Sequence, residues 1–382
     1  MNPLDAWTFD SGLYLANVAA AATLACAAAL AAARILKSRP APVRYGVLLA
    51  AMLLALLSPG MAWTARALGL SPLCISAPVP EKIAEAVAPM VEPIALPPTP
   101  ETPMMPAPLG PVLPPPAEPV LEAAPPTVPL PWPQILLAAA ALVWSAGTAV
   151  CLVFLVRGLV LVQRLRRSLR PARDARLGAA AIRAACTLGL LKLPRICVSD
   201  LVPAPLSLGL ARPAIVMPEG LAETLSDTDL EAVVLHEAAH IAHRDHWVGL
   251  MQRVVLALFW WNPLVRMLSD RLSAAREEVC DNYVVRAQGD GRPFAQFLVR
   301  MAGRLTACRR LTAAIGLVQE PRRGLEERIR GLLRKERNTM TRMNLAAMAL
   351  VGVFSLGLGG LMLLATVGAA EEADDTEAAP AE

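Results

Sequence analysis

The chain has 382 residues, of which 55% are hydrophobic, 18% charged and 4% aromatic, with a formal net charge of +4 and a mean hydropathy of +0.47. A soluble globular protein usually carries about 25% charged residues, so this composition argues against an ordinary cytosolic enzyme. The apolar residues fall in a few long blocks, which is typical of a membrane protein with a soluble part.

Four charge-free runs are long enough to cross a hydrocarbon core of about 30 Å, for which a helix needs about 20 residues. They span residues 11–33, 45–65, 132–156 and 343–370, and the most apolar part of the last run is 343–367. A cleaved signal peptide is the alternative for the first run. However, Asp5 and Asp10 precede that run, and the first basic residue is Arg34. We therefore predict four transmembrane helices.

The basic residues are unevenly distributed around these runs. Four of them lie between Arg34 and Arg44 with no acid, and many more follow the third run and precede the fourth. Only Arg66 and Lys82 of the 36 basic residues fall on the other side, so the positive-inside rule predicts outer N and C termini. Residues 157–342 would then form a cytoplasmic domain at a bacterial-type inner membrane. Anionic lipid explains the basicity of this domain, and no nucleic-acid-reading motif is apparent.

Two segments outside the membrane have biased compositions. Residues 66–131 form a Pro-rich extracytoplasmic loop, since 21 of the 35 prolines lie between Pro72 and Pro133. An extended polyproline-II tether is the simplest interpretation, and a partner-binding segment is the alternative. Residues 368–382 are predicted to form a disordered acidic tail. The seven cysteines show no CxxC spacing, which argues against a thiolate zinc site.

Within residues 157–342, two short strands are predicted at 195–199 and 214–217, with Pro203, Gly209 and Pro213 marking turns. One of these strands could hold an extended substrate at the edge of a cleft. The alternative is a hairpin that only covers the next helix.

All four histidines lie within residues 236–246, which begin with the HExxH motif His236-Glu237-Ala238-Ala239-His240. Ser226 provides an N-cap before apolar residues at helical spacing, so the motif is predicted to lie on a helix. Residues i and i+4 share one helix face, so His236 and His240 can both bind one zinc ion. Glu237 can then act as general base on a metal-bound water, which is the chemistry of a zinc peptidase. The alternative is a solvated helix face.

A third zinc ligand is needed, and the same helix does not easily provide it. The backbone of His243 lies about 10 Å along the axis from that of His236, which is too far for one tetrahedral ion. His246 has the spacing of the third histidine in the HExxHxxGxxH pattern, but His243 occupies the glycine position of that pattern.

The better candidate follows in a second predicted helix, residues 263–288, which a glycine terminates. Glu277 could complete a His-His-Glu site, and Glu278 is a weaker candidate. Asp281, one turn after Glu277, or Asp245 could hold the free N–H of a ligand imidazole.

Two further segments are open to two interpretations each. Val254–Val265 is charge-free but too short to span, so it is either a buried core helix or a segment that dips into the membrane interface. Arg322–Arg342 resembles a basic amphipathic helix, which could couple the fourth span to the site or simply anchor it.

These residues resemble the BlaR/MecR type of integral-membrane zinc peptidase. The resemblance lies in the HExxH helix running into Arg244-Asp245-His246, the apolar bridge 259–265 and the Glu-x-x-x-Asp pattern of Glu277 and Asp281. It implies His236, His240 and Glu277 as zinc ligands, Glu237 as catalytic base, and cleavage of a cytoplasmic protein, typically a transcriptional repressor. Antibiotic-sensing members carry a penicillin-binding domain after the last span. Here the predicted acidic tail follows the last span, so the resemblance does not imply beta-lactam recognition by this chain.

The expected fold class is mainly α: a four-span helical membrane protein with a cytoplasmic α+β zincin-type metallopeptidase domain. The expected function is a zinc metalloendopeptidase, binding one zinc ion, that cleaves a cytoplasmic or membrane-proximal protein in transmembrane signalling. A signal transducer with little turnover, a quality-control protease and a Pro-rich structural protein are the alternatives. A homo-oligomer is compatible with the sequence.

Overall fold

The computed structural model describes residues 3–68, 73–75, 132–307, 322–334, 336–364 and 367–369. Most of the predicted Pro-rich loop and residues 370–382 of the predicted acidic tail lie outside these residues. The described residues form ten α-helices and six short strands. The helices are α1 (Pro3–Ile35), α2 (Ala41–Ala67), α3 (Trp132–Ser168), α4 (Ala175–Leu188), α5 (Asp227–Ala242), α6 (Asp245–Leu258), α7 (Pro263–Gln288), α8 (Arg292–Ala307), α9 (Arg322–Leu332) and α10 (Leu345–Leu364). The strands are β1 (Leu73–Ile75), β2 (Arg170–Pro171), β3 (Arg195–Ser199), β4 (Leu206–Leu208), β5 (Ala214–Pro218) and β6 (Val367–Ala369).

Four helices, α1, α2, α3 and α10, are long and apolar enough to cross a membrane, and each overlaps one of the predicted charge-free runs. α1 packs along α2, and α10 packs against both. The apolar part of α3 leaves its side chains largely uncovered by protein, as expected for a surface that faces lipid. α2 continues through Pro59 because the Ser58 hydroxyl donates to the Ala55 carbonyl, which lacks the proline N–H as a partner.

A second region contains a four-stranded sheet in the order β2-β3-β5-β4. β3 and β5 pair in parallel, with Cys197 opposite Val216, so the two predicted strands do not form a hairpin with each other. The antiparallel partner of β5 is β4, a strand at the edge of the sheet that the sequence did not reveal. Helices α4 and α5 pack together over an apolar core that includes Leu177, Ile215 and Leu230.

A tight turn connects α5 to α6. Arg244 adopts a left-handed backbone conformation with φ of 56°, the one non-glycine residue with positive φ in the described part of the chain. This turn reverses the chain at the end of the HExxH helix, so that Asp245 returns toward His240. In the HExxHxxGxxH pattern a glycine at the preceding position, which is His243 here, turns the chain. Here Arg244 adopts the left-handed conformation at a cost of about 1–2 kcal/mol.

Helices α6 and α7 form an antiparallel hairpin, called here the α6–α7 hairpin. Its turn ends at Asn262, whose side chain accepts a hydrogen bond from the Leu264 N–H, with Pro263 at the first helical position. α7 ends at Gln288 before Gly289, which has φ of 77°. Val255 and Phe259 are fully buried against α1 and α2, so the segment 254–265 packs on the candidate spans.

The basic segment before α10 differs from the predicted amphipathic helix. Helix α9 ends at Leu332, and the described residues that follow it run to α10 without helical structure. Asn282 of α7 holds this connection. Its side-chain NH2 donates to the backbone carbonyls of Asn338 and Met340, and its side-chain oxygen accepts from Arg337. The segment therefore wraps around α7.

Candidate metal centre

The HExxH histidines are positioned by α5. Ser226 caps this helix by accepting a hydrogen bond from the Asp229 N–H, and Leu230, Val233 and Val234 are buried under the sheet. The 3.6-residue period then places His236 and His240 on one face. Their Nε2 atoms are 3.2 Å apart. Both rings therefore direct the same nitrogen to one point.

Glu277 reaches this point from α7. Its Oε2 lies 3.4 Å from His236 Nε2, and its Oε1 lies 3.7 Å from His240 Nε2. A tetrahedral zinc ion with bonds of about 2.1 Å separates its ligand atoms by about 3.4 Å, close to the sides of this triangle. The donor atoms of His236, His240 and Glu277 therefore fit a single zinc ion.

The weaker candidates for a third ligand lie elsewhere. Glu278 faces Arg44 of α2, with both carboxylate oxygens accepting from the same guanidinium nitrogen at 2.7 and 2.8 Å. The ring of His246 is hydrogen-bonded to the backbone of Ser207 in β4. His243 Nε2 is buried, and the ring packs against Tyr283. None of these three side chains belongs to the group that surrounds the candidate metal position.

Two carboxylates support the histidines from behind. Asp245 Oδ2 is 2.6 Å from His240 Nδ1, so it can fix the ring orientation that directs Nε2 to the metal position. Asp281 Oδ1 lies 3.2 Å from His236 Nδ1, which is close enough for electrostatic pairing, although the ring N–H is not aligned for a hydrogen bond. The structure therefore brings both predicted supporting residues to the site, one behind each imidazole.

Arg328 of α9 is part of the site, and no pattern in the sequence distinguishes it. Its guanidinium donates to both oxygens of Asp281, at 2.8 and 3.2 Å. One of its terminal nitrogens lies 3.3 Å from Glu277 Oε2 and the other 3.3 Å from His236 Nε2. Arg328 is 51 residues beyond Glu277 in a run of arginines, so neither spacing nor residue type distinguishes it.

Cys280 also lies beside the site, with its Sγ 3.4 Å from His240 Nδ1 and 3.7 Å from Asp245 Oδ2. Burial raises the pKa of this thiol to about 12. At physiological pH this thiol is therefore neutral. Because the metal-binding form of a cysteine is the thiolate, Cys280 acts as a packing neighbour of His240. Asp245 and Cys280 therefore contact the Nδ1 side of His240, away from the candidate metal position.

The charges around the metal position favour a bound cation. Burial lowers the pKa of His240, but Cys280, Glu277 and Asp245 together raise it by a larger amount. The net pKa of His240 therefore lies well above the usual value. Burial raises the pKa of Glu277, but His240, Arg328 and His236 reverse this effect and hold it well below the usual value. Asp281 has a pKa of about 2, because Arg328 and His236 outweigh its burial. Both carboxylates are therefore ionised.

Glu237, the predicted general base, is buried on α5 directly after the first ligand. The negative charge of Glu237 raises the pKa of His246, although burial and His240 lower that pKa more strongly. Because His246 also contacts Ser207, this side of the HExxH helix faces the edge strand β4. The edge strand β4 thus lies beside the HExxH helix, which it contacts.

Comparison with known proteins identifies relatives of this chain. A family model described as BlaR1 peptidase M56 matches residues 112–332, which is more than half of the chain. The methicillin resistance mecR1 proteins of Staphylococcus aureus and Staphylococcus epidermidis are 30% identical over 91 residues. That match covers 24% of this chain and 16% of each relative. The regulatory protein BlaR1 of Bacillus licheniformis is 30% identical over 88 residues, covering 23% of this chain and 14% of that protein. The matched segment is thus a small part of these relatives.

Proposed function

The chain belongs to the BlaR1 peptidase M56 family, and from this premise we propose that it is a membrane-embedded zinc metalloendopeptidase. Its proposed substrate is a cytoplasmic or membrane-proximal protein. The observation that carries the proposal is the triangle of donor atoms from His236, His240 and Glu277, whose sides of 3.2, 3.4 and 3.7 Å suit one tetrahedral zinc ion. Three protein ligands leave a fourth position for substrate or water, as in catalytic sites, whereas structural zinc sites have four protein ligands.

The residues of the chain divide the proposed chemistry between them. Zinc, when bound, would polarise the scissile carbonyl and lower the pKa of a water molecule. Glu237 takes the proton of the attacking water and passes it to the amine nitrogen as the C–N bond breaks. Asp245 holds the ring of His240 through Nδ1, and Arg328 holds Asp281 behind His236. An extended substrate could pair with the backbone of the edge strand β4, which contacts the HExxH helix.

We further propose that the active site lies on the cytoplasmic side. The basic loop between α1 and α2 predicts that this end of the spans is cytoplasmic. Arg44, in the first turn of α2 next to that loop, forms an ion pair with Glu278, the neighbour of the proposed ligand Glu277. The basic flank and the metal centre thus share one end of the helices, which supports this orientation.

The names of the relatives support a signalling role. They include a regulatory protein and methicillin resistance proteins. We propose that this chain acts in transmembrane signalling by cutting a protein partner, for which a transcriptional repressor is the leading candidate. Cleavage without a regulatory target would instead indicate a quality-control protease.

The test measures zinc content and cleavage of casein, an unfolded protein, with the detergent-purified full chain. We expect about one zinc ion per chain. Glu277→Ala should lose this zinc, whereas the matched control Glu278→Ala should keep it because Glu278 faces Arg44. Glu237→Gln should keep the zinc and lose cleavage.

Two outcomes would contradict the proposal. Zinc retained by Glu277→Ala but lost by His246→Ala would show that the ligand set is wrong. Zinc present in the unaltered chain, with no cleavage of casein or of a co-expressed repressor, would favour a signal transducer whose zinc is structural.

A further inference from the structure

The turn of the α6–α7 hairpin contacts the middle of a candidate membrane span. The Asn262 side-chain amide donates to Thr23 Oγ1 of α1 at 2.8 Å. Thr23 precedes Arg34, the first basic residue after the charge-free run, by eleven residues. At 1.5 Å per residue these correspond to about 16 Å, or half of a hydrocarbon core of about 30 Å. The turn therefore lies level with the centre of the first span.

A second span gives the same depth independently. Trp144 of α3 donates its indole N–H to the Leu258 carbonyl, and Trp260 donates to the Trp144 carbonyl at 3.4 Å. Trp144 lies thirteen residues before Arg157, the first charge after the third run, which corresponds to about 20 Å of helix. Two spans that are far apart in sequence thus place the turn near the bilayer midplane.

Several polar groups of the turn are bonded to protein partners, as a location in hydrocarbon favours. The Phe259 N–H donates to the Val255 carbonyl, and the Asn262 N–H donates to the Phe259 carbonyl. The Asn262 side chain accepts from the Leu264 N–H, and the Leu258 carbonyl accepts from the Trp144 ring. An ordinary surface loop could leave such groups to water.

We propose that the α6–α7 hairpin is a re-entrant membrane element, which enters the bilayer from the side of the metal centre and returns to that side. Its lipid-facing part is the turn beside α3, where Trp261 is exposed and packs edge-on against Trp144. α3 itself is almost uncovered by protein along its apolar length, so lipid is the partner whose chemistry fits this surface.

The face of α7 that points away from α1 and α2 carries charged side chains, which need water. Arg266, Asp270 and Arg271 are exposed on this face, within two or three turns of the hairpin tip. Charged side chains at such depths face a protein interior or a water-filled cavity rather than lipid. The hairpin therefore has a lipid-facing side at Trp261 and a hydrated side along the charged face of α7, which opens toward the metal centre.

The hairpin also determines the depth of the metal centre. Glu277 follows Asn262 by fifteen residues, and Asp245 precedes Phe259 by fourteen. Both helices thus extend about 21–22 Å from the turn, a few ångströms beyond the edge of the hydrocarbon core. The ligand triangle would lie at the level of the lipid headgroups.

This depth specifies a class of substrate, an inference that, unlike the placement of the hairpin, rests on the proposed peptidase function. A site at headgroup level reaches bonds close to a membrane anchor or in a chain that lies on the membrane surface. The substrate would therefore be a membrane-tethered or membrane-bound polypeptide, cut near its point of attachment.

Spin labels test the placement without reference to activity. Single cysteines replace Trp261 at the turn, Asp270 on the charged face and Leu191, a fully exposed control outside the hairpin. The parent chain has Cys74, Cys151, Cys186 and Cys308 replaced by serine, since Cys151 on α3 is not buried, and each variant is reconstituted in lipid vesicles. Collision with oxygen reports lipid, collision with a water-soluble nickel chelate reports water, and low collision with both reports protein.

We expect the label at position 261 to collide with oxygen and not with the nickel chelate, whereas the labels at positions 270 and 191 should collide with the chelate. Chelate collision at 261 equal to that at 191 would place the turn in water and overturn the proposal. Low collision with both reagents at 261 would indicate a protein partner instead of lipid, and chelate protection at 270 would remove the hydrated face.

A second experiment tests the substrate class. An unfolded polypeptide is coupled through a terminal cysteine to a maleimide lipid in vesicles that contain the reconstituted chain. Cleavage sites should begin within about ten residues of the anchor, a span of about 33 Å when extended. Cuts found only farther away would contradict the headgroup-level site. If neither this polypeptide nor soluble casein is cut, the peptidase function fails, while the spin labels still decide the placement of the hairpin.

Discussion

The two halves of α7 have different surroundings. In the first half, Val265, Leu268 and Leu272 are fully buried in an apolar cluster with α1 and α2. In the second half, Asp281 and Asn282 are buried just as completely, but in a network of ion pairs and hydrogen bonds. The same helix therefore packs on the candidate spans at one end and carries the proposed zinc ligand at the other.

This difference shows how the position of the metal centre is determined. The apolar half sets how deep α7 lies against α1 and α2, and the continuous helix then fixes where Glu277 can be. The polar half sets which way the ligands point, because Asp245, Asp281 and Arg328 hold them. Substitutions in the first half should change stability and leave zinc affinity alone. Substitutions of the buried polar residues around the metal position should change both or mainly zinc affinity, whereas those of half-exposed residues such as Glu278 should not.

The largest effect is expected for Asp281→Ala. Asp281 is 1% exposed and pairs with Arg328, which is 11% exposed, so the substitution removes one of the carboxylates that balance this buried guanidinium, while Glu277 remains beside it. Breaking a buried ion pair in this way costs about 3–5 kcal/mol in the free energy of unfolding. Thermal and denaturant unfolding in detergent micelles measure this loss, and zinc content should fall as well.

Asp281→Ala combined with Arg328→Ala is the control for this prediction. The double variant removes both members of the buried pair, so it should recover part of the stability that the single variant loses. If Asp281→Ala unfolds like the unaltered chain, the buried pair has no role in holding the polar half together.

Leu268→Ala should have the next largest effect. Leu268 is fully buried between α7 and the candidate spans, so the substitution opens a cavity. Such a cavity lowers the free energy of unfolding by about 2–5 kcal/mol. Zinc per folded chain should stay at the value of the unaltered protein. Met267→Ala, next in sequence but 43% exposed, is the matched control and should change stability much less. Loss of zinc in folded Leu268→Ala would show that the two halves are not separable.

Asp245→Asn should act mainly on zinc affinity. The carboxylate lies 2.6 Å from His240 Nδ1, and losing such a support typically weakens metal binding about 10–100-fold. Competition with a chromogenic chelator measures the affinity. Asp270→Asn, on the exposed face of α7, is the control and should bind zinc normally. Equal affinities for both variants would mean that Asp245 does not orient the ring.

Local signals in the sequence predicted the elements that carry the ligands. Ser226 caps α5 as expected, and α7 runs from Pro263 to Gln288 before Gly289, as its periodicity and terminal glycine indicated. These features depend on neighbouring residues along the chain. Because i and i+4 share a helix face, even the approach of His236 to His240 followed from spacing alone.

The remaining features depend on contacts between distant residues. The parallel pairing of β3 with β5 joins segments separated by a third strand, and no local pattern distinguishes it from a hairpin. Arg328 enters the site only because α9 packs against α7. The apolar run 254–265 left both core and interface open, since periodicity cannot identify the partner of a buried segment. Here the partners are α1, α2 and α3.

The smallest effect is expected for Arg44→Ala, which removes a contact between α2 and α7. Arg44, near the start of α2, pairs with Glu278, and the two side chains are 22% and 34% exposed. Partly solvated pairs of this kind contribute about 0.2–1 kcal/mol to the free energy of unfolding. A double-mutant cycle with Glu278→Ala measures the coupling, and zinc content should not change in any of the three variants. A coupling above about 2 kcal/mol would contradict the prediction, because it exceeds that range. Loss of zinc in Arg44→Ala would make this pair a direct link from the second span to the metal centre. Within the expected range, the centre depends on α7 as a whole, and the pair only adjusts how the end of α2 rests on it.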